Sequence, residues 1–432
     1  MILEASLILV LVFAVLLALG IPIAISIAVA SLSTVLLVLP LDIAVFTSAQ
    51  KMVASIDSFS LVAVPFFILS GIIMNNGGIA TKLVDFSKLL AGRVPGSLAH
   101  TNVIGNGLFG SISSSAIAAS TAIGGVMVPL QEKEGYDRKF ATAVNIASAP
   151  AGMVIPPSTG FIIFSLISGG TSIAALFMGG YVIGILWALA IMVVSFIIAK
   201  KRNYPVVAKQ ANQNVKKIII DAIPSILLIF IIIGGILTGV FTAIEASAIC
   251  VVYSFLLAFV FYRTMTIKQL PQVMAQAVEM TGVIMLLIAA SSLMSFAMAF
   301  TGIPAALSNL VLSISDNPII ILLVMNVILL LIGTVMDVAP AILIFTPIFM
   351  PIATSVGVDP VHFGIFFILN LCVGTITPPV GTGLFVGSSV GKVKIEKVLK
   401  PLLPFYAAIF ILLLIVTYVP QISLFLPNLL GL

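Results

Sequence analysis

Two polar interruptions in otherwise apolar sequence carry the residues best suited to binding chemistry: GSISSS at 110–115 and GTVMD at 333–337. Two further segments, GMVIPPSTG from Gly152 and GTITPPVGTG from Gly374, place a proline pair inside an apolar run. Proline donates no backbone hydrogen bond and clashes with the preceding turn, so such a pair breaks a helix. A broken helix leaves unpaired N–H groups at one new end and unpaired C=O groups at the other. Aligned peptide dipoles make the first end attractive to anions and the second to cations. Four such breaks are a means of binding a carboxylate and a sodium ion without fixed charges.

The first interruption and the first proline break supply one cation site. It uses carbonyls that end the first leg, the hydroxyls of Ser113 and Ser114, and carbonyls around Gly152, Ile155 and Pro157. The mirror site uses Gly333, Met336, Asp337, Gly374, Thr377 and Pro379. Hard cations take oxygen ligands of this kind. Ser115, Ser158, Thr159 and Thr382, with Asn145 and the free N–H groups, then face the substrate. Plainer readings stand beside these. Serine and threonine in a membrane helix often bond back to their own helix, a proline pair is often only a kink, and Asp337 can simply cap a helix. An ionisable residue at membrane depth nevertheless reads as functional. His100 and His362 read as packed or interfacial, and Glu245 as an interfacial or subunit contact.

The elements that must hold these residues follow from composition. The chain has 432 residues, 61% hydrophobic and 8% charged, with a mean hydropathy of +1.32. A soluble domain carries roughly 25% charged residues, so this chain cannot cover a water-facing surface. Long, non-alternating apolar runs favour membrane helices over a barrel. The net charge of +5 sits in short blocks between those runs and implies no nucleic-acid partner. Cys250 and Cys372 lie inside apolar stretches and read as small packed residues. The N-terminus lacks a basic region and reads as a first membrane helix. No HExxH motif, intramembrane aspartate pair or serine–histidine pair at comparable depth suggests an enzyme, and no GxxxxGK[ST] loop suggests a pump.

Ten segments look long enough to cross: 3–19, 23–39, 58–74, 140–167, 173–199, 218–240, 243–262, 280–300, 361–390 and 402–426. Regions 101–130 and 319–350 contain the two polar interruptions. Their legs, roughly 12 to 16 residues each, fall short of a span and suggest re-entrant hairpins. Apart from Lys51, the basic residues fall in blocks at 82–93, 133–139, 200–217, 263–268 and 392–400. Ten crossings put every block on one side, the cytoplasmic side by the positive-inside rule. Both termini, and the flanks of the second hairpin around Asp316 and Asp359, then face the periplasm.

The chain also repeats itself. Gly152 aligns with Gly374, Pro129 with Pro351, Gly135 with Gly357, Gly110 with Gly333, and Gly78 with Gly302, all at offsets of 222 to 224 residues. Each half holds five crossings and one hairpin, so the second copy inserts upside down. The expected organisation is a first repeat over 1–200, a cytoplasmic linker over 201–217 and a second repeat over 218–432. The expected fold is an all-α polytopic membrane protein, an inverted repeat with two re-entrant hairpins and two broken helices. Secondary transporters have this architecture, with binding sites at the midplane where breaks meet.

GSISSSAIAAS, GMVIPPSTG, GTVMDVAPAILIFTPIFMPIA and GTITPPVGTGLFV together resemble the large membrane subunit of TRAP (tripartite ATP-independent periplasmic) transporters, over essentially the whole chain. The resemblance implies a bacterial inner-membrane protein working as an elevator, with hairpins and broken helices sliding against a scaffold. It implies Na⁺-driven import of an organic acid, with a small membrane subunit and a periplasmic substrate-binding protein as partners. The small subunit is expected as a separate chain. Overall likeness within the family points to sialic acid, with C4-dicarboxylates as the other main type. A stand-alone ion-coupled organic anion symporter is the alternative. The distantly similar divalent anion/sodium symporters place Ser-Asn-Thr at both tips; here the tips read Ser-Ser-Ser and Met-Asp, so that anion chemistry does not carry over.

Overall fold

A computed structural model describes residues 2–92, 94–205, 215–306 and 317–432. Within these the regular structure is helical throughout. Arg93, the middle of the expected linker and Asp316 lie outside the described residues. Seven described helices are long and apolar enough to cross a membrane, and up to nine if each of two bent pairs counts as one span. Exposed apolar side chains are numerous, among them Phe230, Leu331 and Ile411 on these spans and Val10 and Phe46 on other helices. In water such a surface would aggregate; against lipid it is the expected one. The chain is therefore a multi-pass membrane protein.

Both polar interruptions break a helix. The first hairpin runs through Ser97–Ser113 and Ala116–Lys133, the second through Pro318–Val335 and Val338–Ser355. Their legs have 17 or 18 residues, longer than the sequence reading. The first pair extends into polar flanks, and both legs of the second are long and apolar enough to cross a membrane, so leg length does not by itself make that hairpin re-entrant. The first broken helix comprises Arg138–Ser148, Ala151–Val154 and Thr159–Ile167, bent by 47° at the break. The second comprises Pro360–Thr375 and Thr382–Gly391. Asp137 and Asp359 cap these two broken helices, accepting from Lys139 N at 2.9 Å and Val361 N at 2.8 Å. Such caps satisfy N–H groups that a helix start leaves orphaned.

Similar features recur in both halves. Both proline pairs are cis. Tyr181 donates to the Pro156 carbonyl at 3.1 Å, and Tyr406 to the Ile376 carbonyl at 2.5 Å. Gly78 and Gly302 both have positive φ, +65° and +75°.

Elsewhere the structure departs from the sequence reading. Leu41–Ile56 and Ile79–Ala91 are helices that the apolar-run search missed. Ile79–Ala91 buries Ile79, Ala80, Leu83, Val84 and Ser87 on one face and shows Lys82, Asp85 and Lys88 on the other. That is an amphipathic period, not a continuous apolar run. Lys82 also pairs with Asp221 at 2.8 Å, tying this helix to Val215–Leu237. The segment expected over 280–300 is the end of a longer helix, Leu270–Thr301. The tenth segment is two helices, Ile395–Tyr418 and Pro420–Leu430, because Pro420 lacks the N–H needed to continue the first.

Candidate functional site

A cavity of about 560 Å³ opens between two walls. One wall is formed by Ala63–Asn76 and Leu270–Thr301, contributing Phe67, Gly71, Asn75, Gln276, Glu279 and Val283 among others. The opposite wall is formed by both hairpin tips and both broken helices. The pieces of that second wall are specific. Residues 116–118, 159–160, 338–340 and 382–383 line the cavity. Each is the first turn of a helix: Ala116–Lys133, Thr159–Ile167, Val338–Ser355 and Thr382–Gly391. Four sets of N-terminal N–H groups, each worth about half a positive charge, thus converge on one space. Asp337 and Glu279 are the ionisable side chains in the lining, which contains no Lys, Arg or His among the described residues.

Local geometry explains why the chain turns where it does. At the first tip Ser114 takes a left-handed conformation, φ 50° and ψ 29°, and donates its N–H back to the Gly110 carbonyl at 2.6 Å. Ser115 is extended and caps the returning leg, accepting from Ala118 N at 3.2 Å. At the second tip Met336 and Asp337 are both extended, φ −118° and −72°. Asp337 occupies the cap position without a capping-geometry side-chain bond; its carboxylate interacts with the Val338 backbone and lines the cavity.

Each tip sits directly on its broken helix. A Cβ on Gly152 would lie 2.3 Å from Gly110 Cα, and one on Gly374 would lie 2.4 Å from Gly333 Cα. Only glycine permits backbones this close. Gly381 N donates to the Thr334 carbonyl at 2.8 Å, stitching the second break to the second tip.

The residues singled out from sequence divide into two groups. Ser113, Ser114, Ser115, Thr159, Asp337 and Thr382 all line the cavity. The Ser113 hydroxyl is buried with no protein hydrogen-bond partner, an orphan that suits an ion or a water. The other group lies behind the wall. Gly152, Gly333 and Gly374 make the close backbone contacts, and Ile155 packs against Gly184. Ser114 and Pro157 bond to one another, hydroxyl to carbonyl at 2.8 Å. Thr377 bonds back to Val373 O at 2.7 Å, the plain reading for a membrane threonine. Met336 is buried, and Pro379 is exposed and does not line the cavity.

Two expected substrate residues also lie elsewhere. Ser158 is buried and donates to Met153 O at 2.6 Å. Asn145 is fully buried; it donates to Ser120 O at 3.0 Å and accepts from Asn106 Nδ2 at 3.1 Å. A polar residue inside a helix pack is satisfied by its neighbours before it reaches a ligand. Asn145 thus holds the broken helix to the first hairpin. Asn326, Asn370 and Thr417 play the corresponding part in the second half, with Asn370 Nδ2 on Asn326 Oδ1 at 2.5 Å. His362 is packed between Ser423 Oγ and Thr417 O, and Glu245 caps its own helix with Thr242.

Sequence reasoning missed Asn75, Gln276, Glu279 and Thr375 in the lining. The signal was there for three of them, polar residues at the margins of apolar helices. The segment boundary drawn at Met280 left Glu279 outside the membrane.

Hairpin tips, interrupted helices and a cavity walled by helix starts define a helical membrane transporter. Comparison with known proteins gives the family. Residues 10–422 match the model described as "Tripartite ATP-independent periplasmic transporter, DctM component". The chain is 52% identical to the uncharacterized protein YgiK of Salmonella typhimurium over 92% of this chain and 91% of that one. It is 37% identical to the sialic acid TRAP transporter large permease protein SiaM of Vibrio cholerae, over 91% and 92%. The solved YdaH transporter of Alcanivorax borkumensis shares the fold, with a TM-score of 0.64 at 13% identity, over 89% of each chain. The chain belongs to the DctM family, the large membrane component of TRAP transporters. It is a transporter subunit and not an enzyme.

Proposed function

We propose that this chain imports an organic acid across the bacterial inner membrane, coupled to Na⁺ and moving as an elevator. The observation that carries the reading is the convergence of four helix first turns on one cavity with no basic side chain in its lining among the described residues. A carboxylate bound there is held by N–H groups and helix dipoles instead of a salt bridge. Na⁺ is co-transported cargo. Asp337, the orphan Ser113 hydroxyl and the carbonyl ends beside the Gly110–Gly152 and Gly333–Gly374 contacts offer the oxygen donors a hard cation takes. Bound Na⁺ adds positive charge behind the anion, which couples the two bindings.

The two cavity walls belong to different bodies in this reading. Ala63–Asn76 and Leu270–Thr301 form part of the scaffold, and the tips and broken helices move past it. The repeats insert in opposite senses, with both termini periplasmic. A separate small membrane subunit buttresses the scaffold, and a periplasmic binding protein delivers the acid. Sialic acid and C4-dicarboxylates are the substrate types carried by named relatives.

The test is reconstitution with the small subunit in liposomes. Saturable uptake should require both an inward Na⁺ gradient and the binding protein. Uptake without the binding protein would favour a stand-alone symporter, and flux indifferent to Na⁺ would reject the coupling.

A further inference from the structure

The cavity is electrically lopsided. Its hairpin wall presents helix N-termini and its hydroxyls. Its scaffold wall presents Glu279, Gln276 and Asn75, a carboxylate and two amides. Among the described residues Glu279 makes no ion pair, and no basic side chain shares the lining. Asp337, the other carboxylate, lies on the opposite wall at a tip where the cation is placed, so its charge has a counter-ion. Glu279 has none.

We propose that Glu279, with Gln276 and Asn75, reads the far end of the substrate and requires hydrogen-bond donors there. The substrate is then a monocarboxylic acid whose far end carries hydroxyl or ammonium groups, and a dicarboxylate is excluded. This rests on the organic-acid reading above and sharpens it. With one carboxylate seated at the helix starts, a second would face the carboxylate of Glu279 with no cation to separate them. Hydroxyls or an ammonium reverse that: they donate to an ionised acceptor, the stronger class of hydrogen bond. The rejection is of the kind that gives specificity, an unfavourable group built against the wrong ligand.

The test measures thermal stabilisation of the purified chain with its small subunit, in Na⁺, by four probes. Gluconate offers hydroxyls, β-alanine an ammonium, succinate a second carboxylate, and hexanoate no donor. The better of gluconate and β-alanine should bind about tenfold or more tighter than succinate and hexanoate, and which of the two wins identifies the donor. Glu279→Gln should collapse the preference over succinate towards unity while Na⁺ alone still stabilises the protein. Gln276→Leu, one turn away, should weaken the preferred probe and leave Na⁺ stabilisation intact. Succinate bound as tightly as the preferred probe, or a preference that Glu279→Gln leaves unchanged, overturns the assignment while the organic-acid reading stands. Binding of none of the four by the unaltered protein overturns both.

Discussion

Gly374→Ala is the sharpest perturbation the structure offers. The added Cβ would lie 2.4 Å from both Cα and C of Gly333 and 2.8 Å from Thr334 N. All three are backbone atoms, so no side chain can rotate away and the hairpin tip must move. Overpacking of this kind costs about 1–3 kcal/mol. Alanine also gains helix propensity over glycine, about 0.5–1 kcal/mol, which would mask part of the loss. Gly125→Ala removes that ambiguity: it also lies in a helix, and its Cβ would meet nothing within 4 Å. The difference between the two variants is therefore the packing term alone, roughly 1–3 kcal/mol against Gly374→Ala. Thermal midpoints of the purified variants, with and without Na⁺, measure it. Gly374→Ala should unfold earlier and lose most of its Na⁺-induced stabilisation, while Gly125→Ala should match or exceed the parent in both. Equal midpoints and equal Na⁺ responses would refute the idea that tip and break build a cation site by close backbone contact.

Three other outcomes are expected. Asp337→Asn keeps the shape of the tip but removes its charge, so the Na⁺ concentration for half-maximal uptake should rise about tenfold, and an unchanged Na⁺ titration would remove Asp337 from the coupling site. Thr159→Val and Thr382→Val each delete one hydroxyl from the first turn of a helix that faces the cavity; uptake per expressed transporter should fall roughly three- to tenfold, about 0.5–1.5 kcal/mol, and normal kinetics in both would show that these hydroxyls do not touch substrate. Single cysteines at Lys133 and Asp359, one after each hairpin, should label from opposite faces of the membrane in intact cells; same-side labelling would contradict the inverted repeat.

The breaks were legible in the sequence because they rest on local chemistry. A proline pair cannot continue a helix, serine and aspartate favour helix starts, and the structure breaks at Ser114–Ser115 and Met336–Asp337 accordingly. The Gly110–Gly152 and Gly333–Gly374 contacts were foreshadowed only by their recurrence in both repeats. What the sequence hid is tertiary. Asn145 reads as a ligand, yet Asn106 and Ser120 use up its hydrogen bonds. Ser158 and Thr377 satisfy themselves on nearby carbonyls. Ile79–Ala91 has too many charges for a search tuned to apolar runs, although its burial repeats every three to four residues. Glu279 escaped because hydropathy alone cannot tell a helix that starts at Met280 from one that starts at Leu270.

The central claim is that four helix starts form the anion site, and accessibility of Thr382 tests it most directly. Cys250 and Cys372 are buried, so a cysteine at Thr382 can be followed by a thiol reagent with little background. In Na⁺, saturating gluconate, β-alanine or succinate, whichever binds best, should slow its modification several-fold, and replacing Na⁺ with choline should abolish the protection. Modification at the same rate with and without Na⁺ and a bound acid would contradict the account.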